Sequence, residues 1–280
     1  MKTCTTIAAL RAEIQAHKRV GKRVGFVPTM GALHEGHLSL ARTLSKHCDV
    51  RVCSIFVNPT QFNDPKDYEA YTINLDKDKA LLEREGVDIL FAPSVDEVYP
   101  PGFQTTIAVT EISKPWEGAL RPGHFAGVAT VVTILFNAVT PDVAIFGEKD
   151  FQQLRLIERM VQDLKMGIEI LRGELVRDLD GLALSSRNAR LSTDGRRKAL
   201  SISRGLFEAQ AAAREGELSA ANLEHVVSRT IGEVDGAVPE YIAVVDEGSL
   251  EKVSTVAGAC RLLVVVRIEG VRLLDNIALP

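Results

Sequence analysis

The stretch VGFVPTMGALHEGHLSLARTL, residues Val24 to Leu44, changes its period partway along. Val24 to Val27 is an apolar run of the kind a buried strand shows, and Pro28, Gly31 and Gly36 interrupt it. Leu33, His34, His37, Leu40, Ala41 and Leu44 then recur at steps of three and four. This spacing predicts a strand, a loop and a helix that buries one stripe and keeps both histidines near its N-terminal end. Unpaired backbone N–H groups and the positive end of the helix dipole favour phosphate at such an end, and glycines let the chain approach closely. The histidines stand three apart, whereas the His-Glu-x-x-His zinc pattern needs four. Two readings remain for them: ordinary first-turn polar residues, or contacts to a nucleotide.

Before this stretch, Ile7, Leu10, Ile14 and His17 mark a packing helix over Thr6 to Lys18. After it, Val50 to Val57 is a second near-continuous apolar run, as a strand buried on both faces should be. It ends in Asn58-Pro59-Thr60-Gln61-Phe62. Loops at the C-terminal ends of parallel strands hold ligands in open α/β sheets. The Gln61 amide offers donors and an acceptor, suited to a ligand carrying a carboxylate and a hydroxyl together.

A charged helix over Asn74 to Glu85 leads to a short buried strand within Val87 to Pro93. Tyr99 to Pro122, rich in Pro, Gly and Thr, reads as a loop insertion. Arg121 and His124 stand at the entrance of a helix over Ala126 to Val139, either as a helix-start loop or as pocket-lining residues. A strand over Pro141 to Phe146 is followed at once by Gly147-Glu148-Lys149-Asp150. Asp150 and Gln153 have the spacing of a capping-box variant ahead of a helix. Lys149 opposes the helix dipole, a conflict that a neighbouring phosphate would remove. A strand over Ile168 to Leu171 follows, and Leu175 to Arg177 is expected to extend the same sheet before a turn at Asp178 to Gly181.

The strand–helix rhythm predicts the α/β class, with a Rossmann-like doubly wound parallel sheet over residues 1–177. From residue 178 to 280 the character changes to a polar loop, helices over Thr193 to Arg214 and Ala220 to Val234, and strands over Tyr241 to Val245 and Arg261 to Ile268. This is a smaller C-terminal α+β domain, with Leu184-Ser185-Ser186-Arg187-Asn188 at the junction.

At 280 residues and a formal charge of −4, with both signs interspersed, the chain has no electrostatic footprint for nucleic acid. No signal-peptide core and no apolar run of spanning length occur, so the expectation is a cytoplasmic protein of small-molecule chemistry without a membrane partner. Cys4, Cys48, Cys53 and Cys260 form no CxxC pair and read as reduced thiols.

Pro28-Thr29-Met30-Gly31 followed by His34-x-Gly36-His37 resembles the His-x-Gly-His signature of the nucleotidylyltransferase and class I synthetase superfamily. Within it the wording resembles the pantothenate synthetase (pantoate–β-alanine ligase) family. The resemblance continues through SIFVNPTQF, RPGHFAGVATVV, FGEKDFQQL, DGLALSSRNARLS and RLLDNIAL. It implies ATP-dependent ligation of pantoate and β-alanine to pantothenate through a pantoyl adenylate, with AMP and pyrophosphate released, and a homodimer; Mg²⁺ is expected because the departing pyrophosphate carries concentrated charge. It implies ATP contacts from Met30, Gly31, His34, His37, Gly147, Glu148, Lys149, Asp150, Val176, Leu184, Ser185, Ser186 and Arg187. Gln61 and Gln153 would bind pantoate, and Gln61 also β-alanine. His37, Lys149 and Arg187 would be catalytic, with the Ser-Ser-Arg loop similar to the KMSKS-type loop. The family commonly has Tyr-Pro-Arg-Thr where this chain has Tyr71-Thr72-Ile73-Asn74, so any role of that arginine has no bearer here. Glu174 stands where a proline is usual.

Adenylation needs no protein nucleophile, only cations and donors that stabilise phosphate charge and groups that align substrates. A nucleotidylyltransferase acting on a phosphorylated small molecule shares these parts and is the alternative; it would not need the Gln61 and Gln153 pair. A nicotinamide dehydrogenase lacks support because Gly-x-Gly-x-x-Gly is missing from the first turn, and no P-loop motif occurs. A non-catalytic nucleotide-binding module is a third reading, separated from the ligase by AMP release in the presence of candidate acids.

Overall fold

The computed structural model describes residues 1–63, 68, 69, 71 and 73–280. These divide into two compact units: residues 1–148 with 152–174, and residues 149–151 with 175–280.

The first unit is built on six parallel strands: β1 (Lys2–Cys4), β2 (Val24–Thr29), β3 (Val50–Ile55), β4 (Ile89–Phe91), β5 (Val143–Gly147) and β6 (Glu169–Gly173). Their order is β1-β4-β3-β2-β5-β6. Between β2 and β5 the progression reverses direction, so the loops leaving these two strands diverge to opposite faces and open a crevice at their C-terminal ends. Helices α1 (Ile7–Arg19), α2 (Glu35–Leu44), α3 (Leu75–Arg84), α4 (His124–Val139) and α5 (Phe151–Asp163) complete the layers. On one face Leu40, Ala41 and Leu44 of α2 and Leu82 of α3 pack on Val27, Cys53, Ile55 and Leu90. On the other, Phe136 of α4 meets Phe26 and Phe146 edge-on, and Thr133 of α4 donates to Met160 Sδ of α5. The doubly wound parallel sheet expected from the strand–helix rhythm is thus observed.

Helix α4 shows which force decides. Its valines and threonines each disfavour helix by up to about 0.7 kcal/mol. Burying a valine, leucine or phenylalanine side chain contributes roughly 1.5–3 kcal/mol, and Val128, Val131, Val132, Leu135, Phe136 and Val139 are all buried. Packing therefore outweighs propensity.

The second unit has an antiparallel sheet of β7 (Ala237–Asp246), β8 (Cys260–Ile268) and β9 (Val271–Ala278) in sequential order. Helices α6 (Thr193–Arg214) and α7 (Ala220–Gly232) cover it, with Leu206, Leu223, Val227, Leu262, Val264 and Val266 in its core. It is the small α+β arrangement expected.

Three elements differ from expectation. Strand β1 lies at the sheet edge, where three residues, two exposed and then one buried, leave too short a pattern to read. Strand β9 carries Arg272, Asp275 and Asn276, whose polarity masks its period. Leu175 to Arg177 does not extend the parallel sheet. Arg177 instead forms an antiparallel bridge with Ala183, closing the turn that contains Gly181, and its guanidinium pairs with the buried Asp275 of β9. Two apolar residues are too few to hold a strand against that pairing. The helical run after β5 also starts early: Glu148–Asp150 is a 3₁₀ turn leading straight into α5, so Asp150 lies inside the run.

The thiols are free. Burial pushes Cys53 up to about 12 and Cys48 up to about 11, which leaves both protonated at neutral pH. Among the described residues no helix is long and apolar enough to cross a membrane.

Helix α4 approaches the 3₁₀ turn Pro59–Gln61 so closely that a Cβ on Gly127 would lie 2.5 Å from the Thr60 carbonyl oxygen. Gly127→Ala should destabilise the chain by about 1–3 kcal/mol, the usual cost of overpacking, read from the midpoint of urea unfolding. A change below about 0.5 kcal/mol, the range of an innocuous surface substitution, would mean that the turn yields.

Candidate active site

In the first unit the loop after β2 is held from four directions. Thr29, at the strand end, donates its hydroxyl to the Ser54 carbonyl at 2.7 Å and accepts from Gly31 N–H at 3.2 Å. Tyr71 Oη donates to the Gly31 carbonyl at 3.3 Å. Gln61 Nε2 reaches Met30 Sδ at 2.9 Å. The Asp78 carboxylate of α3, 2% exposed, accepts from Ala32 N–H at 2.8 Å and Leu33 N–H at 2.9 Å. Gly31 and Ala32 both have positive φ, +81° and +52°. Such a left-handed pair is costly at the alanine, and the two bonds to Asp78 offset it. The N–H groups of Ala32 and Leu33, which precede the N-cap of α2, are thus taken by Asp78.

This loop delivers His34 as the N-cap and His37 as the third residue of α2. Their ring centroids are 4.1 Å apart, and His34 N–H donates to His37 Nδ1 at 3.4 Å. With Nδ1 accepting, a neutral His37 carries its proton on Nε2 and is a donor there. Ile73 abuts Gly31, where an added Cβ would lie 2.8 Å from its Cγ2. Thr72, beside it, lies outside the described residues.

The loop after β3 carries Gln61, 9% exposed. Asn58, 1% exposed, donates from Nδ2 to Gln61 Oε1 at 3.1 Å and to the Gly127 carbonyl at 3.2 Å. Asn58 Oδ1 accepts from Tyr99 Oη at 2.8 Å and Thr60 Oγ1 at 3.0 Å. Burial raises the Tyr99 pKa, which keeps it a donor. Arg121 and His124 both reach the Gln61 carbonyl oxygen, Arg121 from Nη2 at 3.2 Å and His124 from Nδ1 at 2.8 Å. Because that oxygen only accepts, His124 is protonated on Nδ1, and its Nε2 accepts from Arg121 Nη1 at 3.1 Å. Arg121 also stands 3.6 Å from the buried carboxylate of Glu117. These two residues thus hold the main chain at Gln61, a role the sequence left open.

Gly147 and Glu148 close β5 at the same sheet edge as the β2 loop, and Gln153 is half-buried on the first turn of α5. Its neighbour Gln152 fastens the loop insertion, donating to Ile112 and Pro115 carbonyls at 3.0 and 2.8 Å and accepting from Glu117 N–H at 3.1 Å.

The other candidates belong to the second unit. Lys149 pairs with Asp150 at 3.7 Å, a neighbour that already offsets its conflict with the helix dipole. Val176 and Leu184 are brought together, Leu184 N–H donating to the Val176 carbonyl at 3.0 Å. Ser185 caps the 3₁₀ turn Ser186–Arg190, its hydroxyl accepting from Arg187 N–H at 3.2 Å. Asn188 Nδ2 ties the turn to the Ala183 carbonyl at 2.9 Å.

A doubly wound parallel sheet whose β2 loop carries paired histidines into a helix N-terminus is the arrangement that the His-x-Gly-His resemblance implies. Known proteins narrow this. The family model described as pantoate-beta-alanine ligase matches residues 2–278. Pantothenate synthetase of Paracoccus denitrificans is 49% identical over 276 residues, covering 97% of this chain and 96% of that protein. Pantothenate synthetase 1 of Bradyrhizobium diazoefficiens is 47% identical over 280 residues, covering 100% and 98%. The crystal structure of pantothenate synthetase from Thermus thermophilus superposes with a TM-score of 0.94 at 44% identity, covering 99% of each chain. That of the Francisella tularensis pantoate-beta-alanine ligase, complexed with beta-gamma ATP and beta-alanine, gives 0.83 at 35% identity, covering 99% of this chain and 97% of that one. The chain belongs to the pantoate–β-alanine ligase family, and its activity is the ligation of pantoate to β-alanine.

Asp78→Ala should strip the acceptor from two N–H groups, each charge-assisted bond contributing roughly 1.5–3 kcal/mol. Amide hydrogen exchange at Ala32 and Leu33 should accelerate by 10-fold or more (about 1.4 kcal/mol per decade), with Asp78→Asn intermediate because one of its two acceptors is lost. Unchanged protection at both amides would remove Asp78 from the account of this loop.

Proposed function

We propose that the chain activates pantoate as an acyl adenylate with ATP and then transfers the pantoyl group to β-alanine, releasing AMP and pyrophosphate. The observation that carries this reading is the loop after β2, clamped by Asp78, Thr29 and Tyr71, which fixes His34 and His37 at the head of α2.

A carboxylate is a poor electrophile, because its departing oxygen is too basic. ATP corrects this: a pantoate carboxylate oxygen attacks the α-phosphorus, the bond to the bridging oxygen breaks, and pyrophosphate leaves. The β-alanine nitrogen then attacks the acyl carbon, AMP leaves with its phosphate bonded to the former carboxylate oxygen, and the amine gives up its proton. His37 donates from Nε2 to the α-phosphate region, stabilising charge that grows in the transition state. Lys149 and Arg187 meet the pyrophosphate as cations. The remaining ATP contacts fall to Met30, Gly31, His34, Gly147, Glu148, Asp150, Val176, Leu184, Ser185 and Ser186. Mg²⁺ enters as part of the nucleotide substrate, bound by phosphate oxygens and water.

Gln61 and Gln153 bind pantoate, and Gln61 also meets β-alanine. The Met30 thioether, a weak acceptor, is the present partner of Gln61 Nε2. A carboxylate is the stronger acceptor, so pantoate displaces the sulfur at little cost. The reading includes a domain for nucleotide and pantoate over residues 1–177, a C-terminal domain over 178–280, a homodimer, and a cytoplasmic setting.

Incubated with ATP, Mg²⁺ and pantoate but no amine, the protein should exchange labelled pyrophosphate into ATP. With carboxyl-¹⁸O pantoate and β-alanine present, one label should end in AMP. Label in inorganic phosphate with ADP formed would replace adenylation by acyl-phosphate activation, and AMP retained in the final product would favour nucleotidyl transfer. In the same exchange assay His37→Ala and Lys149→Ala should each lose about 10²–10³-fold in rate with the fold intact by circular dichroism. Wild-type exchange would take the altered residue out of the mechanism.

A further inference from the structure

Residues Lys149–Phe151 belong to the second unit, and the side chains that hold them there come from β8 and β9, more than a hundred residues on. Asn276 of β9, 3% exposed, donates from Nδ2 to the Lys149 carbonyl oxygen at 2.9 Å. Its Oδ1 accepts from Arg261 Nη1 at 2.7 Å. Arg261 of β8, 6% exposed, lies with its guanidinium carbon 3.9 Å from the Phe151 ring centroid and donates from Nε to Glu247 at 2.8 Å. Asn276 is itself braced, since its N–H donates to Asp275 Oδ1 at 2.7 Å. Asp275, 4% exposed, takes two bonds from Arg177, at 2.6 and 2.8 Å. One connected set of side chains thus fixes the main chain at Lys149 and the ring two residues later.

The strand itself does not need this arrangement. The ladder between β8 and β9 runs unbroken from Arg261 opposite Ala278 to Ile268 opposite Val271, and it sets the register through backbone bonds. What the Asn276 side chain adds is a donor aimed at a carbonyl in another segment of the chain. A carboxylate of the same shape would still accept from Arg261 but would have no donor for Lys149. An amide at this position therefore serves both partners, and a carboxylate serves one.

We propose that Asn276 is a positioning residue for Lys149: by holding the Lys149 carbonyl it fixes where that side chain leaves the main chain, and so where its ammonium meets the departing pyrophosphate. The proposal rests on the assignment of Lys149 as a phosphate contact. Arg261 acts in the same direction through the Phe151 ring, using a cation–π contact in a site withdrawn from water.

The test is a double-mutant cycle in the full chain, read by pantoate-dependent pyrophosphate exchange. Asn276→Asp should lower the exchange rate or raise the ATP requirement by about 10–10²-fold, the scale of a misplaced charge contact, with the pantoate requirement unchanged within about 2-fold. In a Lys149→Ala background the same change should cost nothing further. A full, additive loss in that background would overturn the proposal, as would wild-type kinetics for Asn276→Asp in the native background. Asn276→Ala, which removes both ends of the amide, serves as a second variant if the aspartate perturbs Arg261. If neither variant folds by circular dichroism, Asn276 is a determinant of folding and the proposal fails. If Lys149→Ala alone exchanges at the wild-type rate, the assignment of Lys149 is what has failed, which distinguishes that outcome from failure of the coupling to Asn276.

Discussion

A carboxylate withdrawn from water must find donors, and Asp78 finds two successive ones in the N–H groups of Ala32 and Leu33. The path of the loop goes with these bonds: both N–H groups point to the same carboxylate with Gly31 and Ala32 in left-handed conformations. From there the chain enters α2 with His34 as its cap and His37 one turn inside. Without that carboxylate the loop would carry a strained alanine and two N–H groups with no charged acceptor. The site loop is therefore a product of α3 as much as of its own sequence.

The sheet supplies the second constraint. Parallel strands deliver all their following loops to one edge, and the reversal between β2 and β5 keeps the loops there from crowding each other. The β2 and β3 loops are tied through Met30 and Gln61, and the β3 loop is tied to α4 through Asn58 and Gly127. In the second unit a three-stranded sheet and two helices enclose a core of their own. On one face of that sheet the buried side chains of Arg261 and Asn276 are bonded to each other, and Asp275, buried on the opposite face, accepts from the Asn276 N–H.

The strand–loop–helix at Val24 to Leu44 and the helix at Ala126 to Val139 were legible because their apolar spacing changes cleanly from one period to another. So were the histidines, through their position at a helix start. Strands β1 and β9 were not, the first for its length and the second because charged and amide side chains interrupt its alternation. Leu175 to Arg177 misled because two apolar residues look like a strand end, while the pairing of Arg177 with Asp275, 98 positions away, leaves no local trace. Asp78 and Asn276 escaped for the same reason, and the role of Arg121 and His124 stayed open for it: each acts on a main-chain atom of a remote segment. Asp78 had a signal, a carboxylate four residues before Leu82 on the buried stripe of an otherwise charged helix.

The turn at Pro59–Gln61 hangs from its main chain. Arg121 and His124 grip the Gln61 carbonyl oxygen, Asn58 anchors the turn to α4, and Gly127 lets the helix come close enough for both. The chain path at position 61 thus has main-chain anchors of its own beside the Gln61 side-chain contacts to Asn58 and Met30. A different side chain there would lose those two contacts and keep the main-chain anchors, so the turn's position outlasts a change in the group it presents. What residue 61 presents is in this sense the outermost few atoms of a segment whose support belongs to the fold.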